Sequence, residues 1–167
     1  MLISEACDLV KKELLDNGYE YGFYLSGTSY KPDMTKGFDK DFFERLQTKY
    51  RVQSPEDTMK AKVGTCNDAV VLMKSILDKH SVSSKIWLLH DVPNSKFHTV
   101  MTFCLENKTV YLELTPQSRK SWYGKEIIFD SEQDFVNEYK KNDCDVIDVT
   151  DEVIIGKAPD FLLSRML

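Results

Sequence analysis

The stretch from Gly64 to His80, GTCNDAVVLMKSILDKH, predicts the central helix of the fold. Thr65 and Asp68 have the Thr-x-x-acid spacing of a capping box, in which two side chains satisfy free backbone N–H groups at a helix start. Apolar residues then recur at helical spacing, at Ala69, Val70, Leu72, Met73, Ile76 and Leu77. An apolar face of this width predicts a helix that is buried against a sheet or other helices.

The residues after this helix predict an antiparallel sheet. Past Ser83 the apolar pattern changes from helical to extended. We predict a hairpin turn at Glu106-Asn107-Lys108 and strands over Lys85–His90, Phe97–Leu105, Thr109–Leu114 and Glu126–Phe129. A helix over 131–141, capped by Ser131, follows the fourth strand.

The flanking segments add further helices to this core. Helices are predicted over 2–16 and 38–50, and a short one starts after Ser54, which is followed by Pro55 at the first helical position. Residues 19–37 are rich in Tyr, Gly and Ser and predict a loop, whereas 158–167 predict a terminal helix. The stretch 143–155 mixes apolar and acidic residues and gives no prediction.

We therefore expect an α+β fold in which a central helix packs on an antiparallel sheet. The length of 167 residues fits one domain. We divide that domain (1–167) into a helical N-terminal region (1–53) and a core (54–140), which is the range that the family resemblance given below covers.

The composition disfavours several classes of partner. A net charge of −5 argues against nucleic acid, because neutralising phosphates needs concentrated Lys and Arg. No apolar run approaches the length of a membrane span, and the N-terminus lacks the pattern of a signal peptide, so we expect a cytoplasmic protein that binds no membrane. The four scattered cysteines (Cys7, Cys66, Cys104 and Cys144) are then expected to be free thiols.

Cys66 falls in the first turn of the central helix. A thiol there faces the positive end of the helix dipole and unpaired backbone N–H groups, which favour the nucleophilic thiolate. The backbone N–H of Cys66 could also hold an oxyanion. Position alone fits equally well a small buried residue that packs beside the helix end.

A thiolate nucleophile usually pairs with a histidine, and the chain has three. His80 lies at the far end of the helix, ~21 Å from Cys66 at ~1.5 Å per residue. His90 ends the first strand, where a solvated turn residue is expected. His98 lies early in the second strand and reaches the helix N-terminus if the face that it shares with Val100 packs on the helix. His98 could equally be a core histidine whose ring is hydrogen-bonded to a neighbouring residue.

Glu113 lies in an apolar run, where a buried carboxylate is costly unless it is paired. If the hairpin turns at Glu106-Asn107, His98 lies opposite Thr115, and Glu113 is its diagonal neighbour on the same face. A one-residue change in the turn would place the two on opposite faces. The pattern alone slightly favours an ordinary solvent-facing residue.

Together these residues resemble a known superfamily. The order Ser54-Pro55-Glu56, Lys62-x-Gly64-Thr65-Cys66-x-Asp68, Phe97-His98-Thr99, Tyr111-Leu112-Glu113 and Trp122-Tyr123-Gly124 is similar to that of transglutaminase-like proteins. It looks most like a group of small, functionally uncharacterised bacterial members. The resemblance covers roughly 54–140.

The resemblance implies a papain-like core and a cysteine-dependent hydrolase, such as a thiol protease, or an acyltransferase. Cys66 would be the nucleophile, His98 the general base and acid, and Glu113 the residue that orients His98. The substrate would be a peptide or a small amide or acyl compound, with no cofactor and no metal. Two departures are Asn67, where relatives often have an aromatic residue, and Glu in place of Asp. For the side-chain oxyanion donor, Gln53 and Tyr50 are the candidates.

Two alternatives stay open. The fold can serve as a catalytically inactive protein-binding or regulatory module, with Trp122 and Tyr123 as exposed aromatics on its binding surface. A metal site of Cys66, His98 and either Cys104 or His90 is the weaker alternative. The chain lacks paired ligand spacing, and Cys104 lies about 20 Å along the strand from His98 at ~3.3 Å per residue.

Overall fold

A computed structural model describes residues 1–33, 35 and 37–166. Its helices and strands are, in chain order, α1 (Ile3–Leu14), β1 (Glu20–Tyr21), β2 (Phe23–Leu25), β3 (Thr28–Tyr30), α2 (Lys40–Lys49), α3 (Pro55–Ala61), β4 (Val63–Gly64), α4 (Cys66–Lys79), β5 (Ser83–Asp91), β6 (Lys96–Leu105), β7 (Lys108–Leu112), β8 (Glu126–Phe129), α5 (Glu132–Lys140), β9 (Cys144–Asp148) and α6 (Asp160–Leu163). None of the helices in these described ranges is long and apolar enough to cross a bilayer.

A five-stranded sheet of order β8-β7-β6-β5-β9, antiparallel throughout, forms the centre of the fold. One face packs against α1 and α4 through Val10, Leu72, Leu77, Leu88, Met101 and Phe103. The opposite face packs against α5 through Trp87, Val100, Tyr111 and Phe135. The expected α+β arrangement, a central helix with an N-terminal cysteine on an antiparallel sheet and additional N-terminal helices, is confirmed.

The start of α4 is fixed by the predicted capping box. The Thr65 hydroxyl accepts a hydrogen bond from the Asn67 N–H at 3.2 Å, and the Asp68 carboxylate accepts one from the Thr65 N–H at 2.9 Å. A Cβ atom on Gly64 would lie 3.0 Å from the Cβ of Asp68, so a larger residue does not fit without a shift. The local sequence therefore holds Cys66 at the first position of the helix.

The hairpin between β6 and β7 also forms where the sequence predicts it. Glu106 and Asn107 both adopt positive φ, 54° and 60°, as a two-residue type I′ turn requires. Leu105 pairs with Lys108 and Thr102 with Tyr111, where the paired residues end. This is the register from which His98 was expected opposite Thr115.

Two flanking segments differ from their predictions, and a third, for which there is no prediction, forms a strand. The predicted loop over 19–37 contains three short strands, of which β1 pairs in parallel with β4, so the N-terminal region 1–53 is not purely helical. The unassigned stretch 143–155 contains β9, which pairs with β5 at the sheet edge. The terminal helix is one short turn, α6. Residues 34, 36 and 167, which belong to two of these predicted segments, lie outside the described residues.

Candidate active site

Cys66 is the first residue of α4 and is partly exposed. A residue at this position keeps a backbone N–H without an intrahelical acceptor. Among the described residues, no hydrogen bond from the Cys66 N–H is formed. The sulfur and this free donor lie at the same helix end, which is the arrangement that an attack on a carbonyl group requires.

His98 lies two residues after the start of β6, near the same end of the sheet. Its neighbours Lys96 and Phe97 line one cavity together with Cys66. The sequence suggested that His98 reaches the helix if the face that it shares with Val100 packs on that helix. This is wrong, because α4 packs on the face of Met101 and Phe103, while Val100 packs toward α5. His98 nevertheless lies close enough to the Cys66 thiol for Cys66 to raise the pKa of the imidazole.

Glu113 follows directly after β7 and is only 2% exposed. Its Oε2 lies 2.6 Å from Nε2 of His98 and also accepts a hydrogen bond from the Tyr111 hydroxyl at 3.1 Å. Its Oε1 accepts one from the Thr115 N–H at 3.1 Å. The buried carboxylate is therefore fully partnered, and the solvent-facing alternative for this residue does not hold.

The electrostatics favour a charged His98–Glu113 pair. Burial alone would lower the pKa of His98, but hydrogen bonds to Cys66 and Glu113 and the charges of both raise it to about 10. Burial alone would raise the pKa of Glu113, yet the hydrogen bond and charge of His98 hold it below its usual range. Because Glu113 occupies Nε2, Nδ1 is the ring nitrogen that remains for Cys66.

The carboxylate of Asp68 supports the helix start from inside the protein. It is fully buried, and its Oδ1 accepts hydrogen bonds from the Tyr50 hydroxyl at 2.7 Å and from the Gln53 N–H at 2.8 Å. Burial raises the pKa of Asp68 to about 6 against the opposing effect of its hydrogen bonds, among which those from Thr65 and Gln53 are the largest. Asp68 thus ties the segment 50–53 to the turn that carries Cys66.

Neither predicted side-chain oxyanion donor is available for that role. The Gln53 amide donates to the Thr58 hydroxyl and to the Val63 carbonyl, both at 3.0 Å, and accepts from the Tyr24 N–H at 2.7 Å. Tyr50 donates its hydroxyl hydrogen to Asp68. The prediction for both residues is wrong, because sequence position cannot show that these groups bind structural partners.

An apolar cavity of about 510 Å³ opens beside Cys66. Most of its walls come from α2, α6 and the residues beside them, and from residues 95–97 at the start of β6. Its apolar side chains include Phe38, Phe43, Leu46, Phe97, Leu162 and Leu163. A second cavity, which His98 lines with Trp122 and Tyr139, shares Lys96 and Phe97 with it. The thiol therefore faces a space large enough for an apolar group.

Several other predicted residues lie outside this arrangement or differ from expectation. His80 caps the far end of α4, and the His90 ring stacks on Phe97 at 4.2 Å between centroids. Trp122 and Tyr123 are half-buried rather than exposed, and the Trp122 N–H donates to the Tyr111 hydroxyl at 3.3 Å.

Across the described residues, no group of three or more His, Cys, Asp or Glu is arranged to hold a metal ion.

Sequence reasoning did not identify Tyr111 and Thr115 as partners of Glu113. The signal was present for Tyr111, because a residue two positions away on a strand projects from the same face as Glu113, whereas Thr115 donates its backbone N–H, which side-chain alternation does not predict. The backbone of Glu113 also accepts a hydrogen bond from the Gly124 N–H at 2.9 Å, which connects the Trp122-Tyr123-Gly124 turn to the site.

Comparison with solved structures gives weak likenesses. No protein-family model matches the chain, and no curated protein matches it. Among solved structures it is similar to Legionella pneumophila LapG, at 14% identity and a TM-score of 0.49, and to EGTA-treated LapG, at 14% identity and a TM-score of 0.46. Both matches cover 99% of this chain and 80% of the other chain. A likeness of this size supports no conclusion about activity, substrate or ligand.

Proposed function

We propose that this protein is a cysteine-dependent hydrolase or acyltransferase of the transglutaminase-like type, with Cys66 as nucleophile, His98 as general base and acid, and Glu113 as the residue that orients His98. The observation that carries the proposal is the 2.6 Å contact between His98 and the buried Glu113, with the same imidazole close enough to Cys66, at a helix N-terminus, for the thiol to raise the pKa of His98. A nucleophile, a base and an orienting acid in this chain of contacts are the components of nucleophilic acyl transfer.

The reaction proceeds in two halves. The Cys66 thiolate attacks the substrate carbonyl carbon, an S–C bond forms, and the carbonyl electron pair moves onto oxygen. When the tetrahedral intermediate collapses, the C–N or C–S bond breaks and His98 gives its Nδ1 proton to the leaving group. Water or an amine then attacks the thioester as His98 takes up the proton, and the S–C bond breaks to release the acyl product.

Glu113 keeps the imidazole in one orientation throughout. Its carboxylate accepts from Nε2, so that Nδ1 faces the sulfur in every step. The additional hydrogen bonds from Tyr111 and Thr115 fix the carboxylate itself.

The cavity beside Cys66 supports an apolar substrate group. Three Phe and three Leu side chains are among its walls and would remove apolar surface of a ligand from water. We propose a peptide or another amide or thioester that presents an apolar group next to the reacting carbonyl. Hydrolysis is favoured over transfer, since no group in the described cavity marks a site for an amine.

Trapping of an acyl-enzyme tests the proposal. The protein is incubated with p-nitrophenyl esters and thioesters of apolar acids, and the adduct is located by peptide mass spectrometry. We expect acylation at Cys66 and product release that are lost in Cys66→Ala and kept in Cys104→Ala, which removes an exposed thiol. Turnover that survives in Cys66→Ala would contradict the proposal, and an inert Cys66 would favour the catalytically inactive binding module.

A further inference from the structure

Tyr21 lies beside Cys66 because of the backbone pairing that the sequence did not predict. Strands β1 and β4 pair in parallel, and Tyr21 of β1 pairs with Gly64 of β4. Gly64 lies two residues before Cys66 in the chain. The Gly22 N–H donates to the Gly64 carbonyl at 3.2 Å, and the Tyr21 N–H donates to the Gln117 side chain at 3.2 Å. These two contacts hold the Tyr21 backbone next to the start of α4.

The Tyr21 side chain extends into the space in front of the nucleophile. It lines the same apolar cavity as Cys66 and Tyr50, and its ring packs against Phe42 at 6.0 Å between centroids. The Tyr21 phenol is near enough to Cys66 and Asp68 for their charges to add to the effect of burial in raising its pKa. Packing against Phe42 limits how far the ring can turn away.

Among the described residues, the Tyr21 hydroxyl has no hydrogen-bond partner. Two fully buried side-chain atoms of the described residues lack a hydrogen-bond partner, Oδ1 of Asn67 and Oγ1 of Thr99. The Tyr21 hydroxyl is not one of them. Tyr50 and Gln53, by contrast, use their donors inside the protein. Burial, together with the charges of Cys66 and Asp68, raises the pKa of Tyr21, so the hydroxyl keeps its hydrogen at neutral pH.

We infer that the Tyr21 hydroxyl is the side-chain oxyanion donor of this site, acting together with the backbone N–H of Cys66. The inference rests on the proposed function, because it requires a tetrahedral adduct at Cys66. As the carbonyl oxygen gains the electron pair, the two donors stabilise its charge. The position of Tyr21 at the end of a short strand, within the segment 19–37, gives that segment a catalytic role.

A reversible aldehyde probe tests this role directly. N-acetyl-phenylalaninal adds to a reactive thiol to give a hemithioacetal, in which the S–C bond forms and the former carbonyl oxygen occupies the oxyanion position. Tyr21→Phe removes only the hydroxyl and keeps the ring against Phe42. We expect the Kd of the aldehyde to rise about tenfold in Tyr21→Phe. Tyr30→Phe, whose ring stacks on Phe23 instead, should bind as the wild type does.

Iodoacetamide labelling separates this inference from the proposed function. Alkylation of Cys66 by iodoacetamide forms no oxyanion, so its rate should be the same in Tyr21→Phe and in the wild type. An unchanged aldehyde Kd in Tyr21→Phe would overturn the role of Tyr21 and leave the proposed function intact. A wild-type protein that forms no hemithioacetal and shows no fast labelling of Cys66 would overturn both. Equal melting temperatures of the variants confirm that the fold is preserved.

Discussion

Nε2 of His98 lies 2.6 Å from Oε2 of Glu113, although the two residues belong to different strands and are 15 positions apart in the chain. The two-residue turn at Glu106-Asn107 produces this contact, because it places Glu113 diagonally from His98 on one face of the hairpin. The carboxylate is 2% exposed and the imidazole partly exposed, so one side of the pair is sealed and the other faces the thiol.

Replacement of Glu113 by Gln should lower the pKa of His98. The variant removes a negative charge at 2.6 Å from the ring but keeps a hydrogen-bond acceptor. Of the two groups that stabilise the charged imidazole, Cys66 and Glu113, only Cys66 then remains. Loss of a close opposite charge shifts a pKa by about 1–3 units. NMR titration of the His98 ring in both proteins measures the change.

Glu152→Gln is the control for this titration, because Glu152 is exposed and is not among the residues of the site. It should leave the His98 titration unchanged. A His98 pKa that is equal in Glu113→Gln and in the wild type would show that the carboxylate does not govern the charge of the imidazole.

Asp68 should make the stability depend on pH in an identifiable direction. Its pKa is raised from 3.8 to about 6 in the folded protein, so folding favours the neutral carboxyl group. Its contribution to the free energy of unfolding is therefore fully present below pH 3.8 and is lost as the pH rises through about 6. Urea unfolding at pH 4 and pH 7 should show that the stability difference between wild type and Asp68→Asn shrinks at the higher pH.

Asp57→Asn is a matched control for Asp68→Asn. Asp57 holds the corresponding third position of α3 but is exposed, so its stability difference from the wild type should vary little over this pH range. A difference for Asp68→Asn that grows with pH would contradict the raised pKa.

Gly64→Ala should destabilise the protein and disturb the nucleophile together. The added Cβ would lie 3.0 Å from the Cβ of Asp68 and 3.4 Å from Cγ2 of Thr58, and both residues are buried. Overpacking of this kind costs about 1–3 kcal/mol. Denaturant unfolding measures the free energy, and acylation of Cys66 by an activated ester measures the effect on the site.

The backbone of Gly64 itself does not demand glycine, because its φ is not positive. An alanine variant with wild-type stability and acylation rate would therefore show that the neighbours move aside at no cost. It would remove close packing as the reason for glycine at this position.

The sequence predicted the helix start and the hairpin because both depend on local rules. A capping box and a two-residue turn are each specified within a few neighbouring residues, and these two features place Cys66 and Glu113. The alternation along β6 showed that His98 and Met101 occupy opposite faces, but it could not show which face meets α4. That choice depends on how helices on both sides cover the sheet.

Features formed by distant segments were not predictable from local pattern. The pairing of Tyr21 with Gly64 joins two strands of two residues each, too short for a periodic signal. The edge strand β9 is only five residues long, and its acidic and apolar residues do not alternate regularly. The internal hydrogen bonds of Gln53 likewise depend on Tyr24 and Val63, which only the folded chain brings together.

The central claim is that His98 activates Cys66, and the pH dependence of its alkylation tests it most directly. Iodoacetamide labelling of each cysteine is followed by mass spectrometry in wild type and in His98→Ala. Cys104 is the exposed reference thiol, and Cys7, which is buried and has a pKa raised to about 11, should react slowest. We predict fast labelling of Cys66 well below the free-thiol value of about 8.5 and slower labelling in His98→Ala. A wild-type Cys66 that follows the pH profile of Cys104, with no change in His98→Ala, would contradict the account.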